Sequence, residues 1–87
     1  MKVTRNSIMK ALRNAYKNAK DYCDFIDKYC AICEGLGGTN YCLVLDDNDI
    51  INIYNIHSNK WYVEDWGKKL AALEWAASFF AAAALAL

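Results

Sequence analysis

Four cysteines, a single histidine and a run of acidic residues are the groups in this chain that could hold a metal or drive catalysis. Cys30 and Cys33 stand three apart, the spacing at which two thiolates can share one tetrahedral ion. A structural zinc needs four ligands, so Cys23, Cys42 or His57 would have to complete the set. A different reading accounts for the same positions. Cys23, Cys30 and Cys33 fall at intervals of seven and three, in step with Ile26 on an apolar helical seam, and free cysteine is among the most buried residue types. We therefore expect core thiols, reduced and metal-free. A thioredoxin-like pair is disfavoured because that motif opens a helix, where the dipole lowers the thiol pKa. Here the pair closes one.

The run Cys30-Ala31-Ile32-Cys33-Glu34-Gly35-Leu36-Gly37 has C-x-x-C-x-G-x-G spacing and resembles the zinc-binding region of DnaJ-type chaperones. The resemblance covers eight residues. Those domains use several copies of the motif, with two copies on each metal, whereas this chain has one. His57 lies in a turn rich in Ser and Asn, with neither a nucleophile nor an orienting group nominated beside it. Asp46, Asp47 and Asp49 suggest calcium, but the EF-hand pattern wants glycine at its sixth position and glutamate at its twelfth. Counted from Asp46, those positions are Ile51 and His57. A solvated hairpin tip is the better account, with an acidic protein-contacting knob as its functional reading. No P-loop, dinucleotide fingerprint or nucleophile elbow occurs, and Gly35-Leu36-Gly37-Gly38 follows a helix rather than the strand a phosphate cradle requires. We expect no catalytic residues, no cofactor and no enzyme activity.

The elements that would position these groups follow from periodicity. Ile8, Leu12, Ala15, Ala19, Tyr22, Ile26, Tyr29 and Cys33 recur at alternating spacings of four and three, with Lys10, Arg13, Lys17, Lys20, Asp24 and Asp27 opposite. That pattern predicts one long amphipathic helix over about residues 5–34. Thr4, Asn6 or Ser7 could cap its start, and Gly35 is the expected left-handed residue at its end. Residues 35–40 read as a loop. Strands are expected at Tyr41–Leu45, Ile50–Ile56 and Trp61–Val63, joined by turns at 46–49 and 57–60. Asp65 could cap a closing helix from near Trp66 that buries Leu70, Leu73, Ala77 and Phe80. The expected fold class is α+β, in the order α-β-β-β-α, with the two helices on one face of an antiparallel meander.

At 87 residues the chain has room for one domain, 1–87, and its 56% apolar fraction excludes disorder. Residues 70–87 form an Ala/Leu-rich tail with nine alanines. We expect it to be a buried helix, against two other readings: an oligomer or membrane-surface contact, and a cloning-derived tail. The last draws on Lys69 to Glu74, which resembles a common cloning linker. Its apolar run of 13 residues after Glu74 is too short to span a bilayer. Residues 1–20 lack a continuous apolar stretch, so no signal peptide is expected and a reducing cytoplasm is the expected location.

Net charge is zero, yet its distribution is uneven. Residues 1–20 carry six cations and no acid, while residues 21–87 carry four lysines against ten acids. Lys10, Arg13, Lys17 and Lys20 would form a basic ridge, with Lys17 and Lys20 partly neutralised by Asp21 and Asp24 four residues on. A solvated face is the plain reading of such a stripe. The functional reading is a non-catalytic protein-binding module whose partner has an acidic surface, with Trp61, Tyr62 and Trp66 as exposed aromatic contacts. A nucleic-acid binder using the same ridge is the alternative, opposed by the neutral net charge and the lack of any recognisable nucleic-acid motif. A small zinc protein is another, and homo-oligomerisation through the C-terminal helix could accompany any of them. In size, Asn/Lys/Ile/Tyr-rich composition and absence of catalytic motifs, the chain is similar to small phage-encoded inhibitors of bacterial defences, anti-CRISPR proteins among them.

Overall fold

Thr4 sets the start of the first helix by exchanging hydrogen bonds with Ser7. The Ser7 amide donates to Thr4 Oγ1 at 3.1 Å, and the Thr4 amide donates to Ser7 Oγ at 2.9 Å. This capping box satisfies amides that the first turn would leave without partners. In the computed structural model, which describes residues 3–74, helix α1 then spans Arg5–Asn18 and buries Ile8, Leu12 and Ala15. The expected burial of Ala77 and Phe80 lies outside the described residues.

The single long helix expected over 5–34 is in fact two. α1 stops at Asn18, and α2 spans Tyr22–Gly35. Ala19 and Asp21 take extended backbone angles. Asp21 Oδ1 accepts the Asp24 amide at 2.8 Å, while Asp24 Oδ2 accepts the Lys20 amide at 2.9 Å, a reciprocal cap that opens α2. Asn18 contributes from the other side, its side-chain amide bonding the Asn14 carbonyl at 3.0 Å. Asparagine competes in this way with regular helix. Length explains why folding back is favoured. An unbroken 30-residue helix would run about 45 Å, whereas a six-residue strand covers about 20 Å. More than half of a straight seam would find no sheet to cover.

The break resets the helical phase. On α2 the buried residues are Phe25 and Tyr29, so Phe25, which the expected seam omitted, is wholly buried, while Tyr22, Ile26 and Cys33 are only half-buried. The helix ends on Leu36 as its cap, and the left-handed residue is Gly38 at φ 82°, not Gly35.

The strands lie as expected, with small shifts in their ends: β1 Tyr41–Leu45, β2 Ile50–Asn55 and β3 Lys60–Asp65, antiparallel in the order β1-β2-β3. Turn chemistry fixes the register. Asp46 Oδ1 accepts the amides of Asn48 and Ile50, and Asp49 takes φ 60°. Asn55 Oδ1 accepts the amides of His57 and Ser58, and Asn59 takes φ 55°. Asp and Asn tolerate the left-handed region, which is why they hold these positions. A third helix, α3, opens at residue 67 and is described through residue 74. The arrangement is α+β, with helices, a three-stranded meander and a C-terminal helix.

Alternation on the sheet decides its two faces. Leu43, Ile53 and Tyr62 lie abreast, as do Leu45, Ile51 and Glu64, and these rows face the helices. Trp66 is the hub, 2% exposed, stacked on Phe25 at 5.7 Å and edge-on to Tyr16 at 5.9 Å. Each such buried aromatic contributes about 2–3 kcal/mol. The expectation that Tyr62 and Trp66 are exposed contacts is therefore corrected: Trp66 is core, and Tyr62 is half-buried. Trp61 is exposed as expected.

Candidate functional site

α1 has four cations, Arg5, Lys10, Arg13 and Lys17, and no acid. Ile8, Leu12 and Ala15 turn inward, so helical pitch sends Lys10, Arg13 and Lys17 to the opposite side, and all three are exposed. Lys20 is exposed as well, but it stands in the α1–α2 connection rather than on a helix. The break therefore takes one cation off the ridge and removes the expected side-chain pairing with Asp21 and Asp24. Lys28 is the lysine that reaches Asp24, at 3.3 Å. The Lys20 amide first, and then the Lys28 ammonium, hold the Asp24 carboxyl below its ordinary value. The shorter α1 also sets where Lys17 falls along the helix. Lys17 now lies in a last helical turn, where positive charge is favoured.

Arg13 has a partner that no sequence window could place beside it. Glu64, on β3, lies 3.8 Å from the Arg13 guanidinium and 3.9 Å from the Lys69 ammonium. The same carboxylate accepts the Trp66 indole N–H at 2.8 Å and the Tyr62 hydroxyl at 3.3 Å. Arg13 remains 57% exposed at its side chain, so this ion pair is a surface one worth about 0–1 kcal/mol. Among the described residues, Lys10, Lys17 and Lys20 make no ion pair.

Of the three cysteines expected on the apolar seam, Cys33 packs against the core but Cys23 and Cys30 do not. Cys23 and Cys30 are exposed, and Cys33 and Cys42 are partly buried; all four are free thiols. The phase reset on α2 is the reason. With Phe25 and Tyr29 facing in, Cys23 and Cys30 are turned outward. Burial pushes the Cys33 thiol up, and burial followed by hydrogen bonding with Cys33 pushes the Tyr29 phenol up. Among the described residues, no three His, Cys, Asp or Glu side chains gather as a metal site would require. His57 is exposed in the β2–β3 turn. Asp46 spends one carboxylate oxygen on two backbone amides, which ties it to the hairpin.

Among the described residues, nothing packs over the sheet face away from the helices. Val44, Trp61 and Val63 stand on it at 46%, 57% and 55% exposure, with Ile56 just beyond the end of β2 at 57%. Trp61 stacks on its cross-strand neighbour Tyr54 at 4.4 Å. No described helix is long and apolar enough to cross a membrane. Comparison with family models, curated proteins and solved structures finds no match to this chain.

Proposed function

We propose that this protein is a non-catalytic binding module that recognises an acidic protein surface through the outward face of α1. The observation that carries this reading is the segregation of charge onto one element: α1 bears four cations and no acid, whereas ten acids lie in the remainder of the chain. A dipolar molecule with no net charge steers toward an acidic patch without attracting polyanions in bulk. Lys10, Arg13 and Lys17 form the contact, and Lys20 flanks it. The partner class we infer is a host defence protein, inhibited by a phage-encoded module. That last step rests on likeness of size and composition. The free, exposed thiols of Cys23 and Cys30 suit the reducing cytoplasm in which such an encounter would occur.

The test uses the Lys10→Glu/Lys17→Glu double variant, because these lysines leave the core and the Glu64 cluster untouched. Wild-type and variant proteins are immobilised, exposed to bacterial lysate at about 150 mM salt, and the captured proteins quantified. The expected result is an acidic protein retained by the wild type and reduced about tenfold or more by the variant. Equal capture by both overturns the reading. So does a tight shift of random-sequence DNA by the wild type at that salt, which would assign the ridge to phosphate backbone.

A further inference from the structure

Arg5 stands one turn before Ile8 on the side of α1 that turns toward the sheet, and its guanidinium carbon lies 4.7 Å from the centre of the Tyr62 ring. A cation thus occupies a position where an apolar residue would close the gap between helix and sheet. The sheet beneath is polar at the same end. Tyr41, Asn55 and Lys60 lie abreast across the three strands, one step beyond the row of Leu43, Ile53 and Tyr62 on the same face. The result is a cleft of about 350 Å³ between the first turn of α1 and the end of the sheet. That volume falls within the range of small-molecule sites.

Its charged groups, Arg5 and Lys60, are both cations. No acid lines the cleft, and among the described residues neither Arg5 nor Lys60 has an ion-pair partner. The Arg5 guanidinium lies over the Tyr62 ring, and its N–H donors have no hydrogen-bond acceptor among the described residues. The orientation of Asn55 is settled by its neighbours. The His57 and Ser58 amides approach one end of its side chain at 3.0 and 3.1 Å, and both can only donate. That end is oxygen, so the other end is an NH₂ group without an acceptor among the described residues. Two cations and an amide donor beside Ile53 and two tyrosine rings ask for an anion attached to a flat apolar group. A phosphate monoester brings about −1.5 to −2 charges at neutral pH and three acceptor oxygens, matching the pair of cations.

We propose that this cleft binds a small phosphate monoester carrying a planar ring, of the nucleoside monophosphate class. Arg5 and Lys60 hold the phosphate, the Asn55 amide orients it, and the ring lies against Tyr41 and Tyr62. Titration of ¹⁵N-labelled full-length protein with AMP, followed by amide shifts, tests this directly. AMP should shift the amides of Asn6, Asn55 and Tyr62 saturably, with a Kd of about 1 mM or tighter. Inorganic phosphate should act on the same amides about tenfold more weakly, and adenosine should not bind. Arg5→Gln and Lys60→Gln should each weaken AMP about tenfold while leaving the shifts of buried residues in place. The Lys10→Glu/Lys17→Glu protein should bind AMP normally, which separates this site from the acidic-partner surface. The proposal is overturned if AMP gives no saturable shift at these amides by about 10 mM. It is equally overturned if both variants bind AMP as the wild type does, or if acetate binds as tightly as AMP.

Discussion

Cysteine position within a turn of helix decides its chemistry here. Cys23 and Cys30 share α2 with Cys33, yet they are exposed while Cys33 is half-buried against Tyr29. Thiol reactivity follows thiolate fraction and access. Reaction with an aromatic disulfide near neutral pH should therefore label Cys23 and Cys30 first and Cys33 last, as read by mass spectrometry of timed aliquots. Uniform labelling would contradict the burial of Cys33. The sign of the accompanying pH effect follows from the direction of the shift. Folding raises the Cys33 thiol above 9.0, so its stabilising contribution is complete below that pH and is lost as pH rises through the higher folded value. Tyr29 is raised by the same burial and acts in the same direction. Stability should consequently decline on the alkaline side. Glu64 shows the opposite economy of position: one half-buried carboxylate serves the Trp66 indole, the Tyr62 hydroxyl and two surface cations.

Among the elements, the α1–α2 connection does most to shape the molecule. It rests on Asp21 and Asp24, each accepting an amide from the other's side of the turn. Replacing Asp21 by Ala should cost about 1 kcal/mol in urea unfolding, the usual cost of a lost N-cap. Amide exchange should quicken at the start of α2 rather than in α1. Acid should weaken the same joint. Folding lowers the Asp24 carboxyl below 3.8, so its contribution is present above that pH and is lost as pH falls through the lower folded value. An Asp24→Asn protein should lack this acid-dependent loosening. If wild type and Asp24→Asn lose α2 protection over the same acid range, another group controls the joint.

At the scale of the molecule, the sheet divides a packed interior from a face whose described side chains are exposed, and Trp66 and Trp61 report on the two sides. Trp66 is 2% exposed and stacked on Phe25, whereas Trp61 is 57% exposed and touches Tyr54 from the open side. Trp66→Ala should cost about 3–5 kcal/mol, through lost burial and the cavity left behind. Trp61→Ala should cost about 0.5–1.5 kcal/mol, the scale of one aromatic pair. Chemical denaturation of both variants measures the difference, and comparable losses would mean that the outer face is covered. The basic face of α1 lies on the helix side, so the charged and exposed apolar surfaces of this protein point in different directions.

Much of this fold was legible in the sequence because it is decided locally. Thr4 and Ser7 cap α1, Asp46 and Asn55 tie their own turns, and the alternation of Leu43, Leu45, Ile51 and Ile53 sets which strand residues face inward. Each depends on groups a few residues apart, and backbone geometry alone relates them. Spacing likewise sufficed to put Lys10, Arg13 and Lys17 on one exposed helix face. The break at Ala19–Asp21 was not legible from periodicity, because the heptad runs through it unchanged; the D-x-x-D of Asp21 and Asp24 was the local signal that could have shown it. The consequences of that break for α2 belonged to tertiary structure. A helix that must lie on short strands folds back, its second half takes a new phase, Phe25 becomes wholly buried while Ile26 is only half-buried, and Cys23 and Cys30 turn to solvent. The pairing of Arg13 with Glu64 and the cleft between Arg5 and Lys60 arise the same way. Chain packing brings these residues together from distant parts of the sequence, and helical or strand periodicity carries no information about which distant surface an exposed side chain will meet.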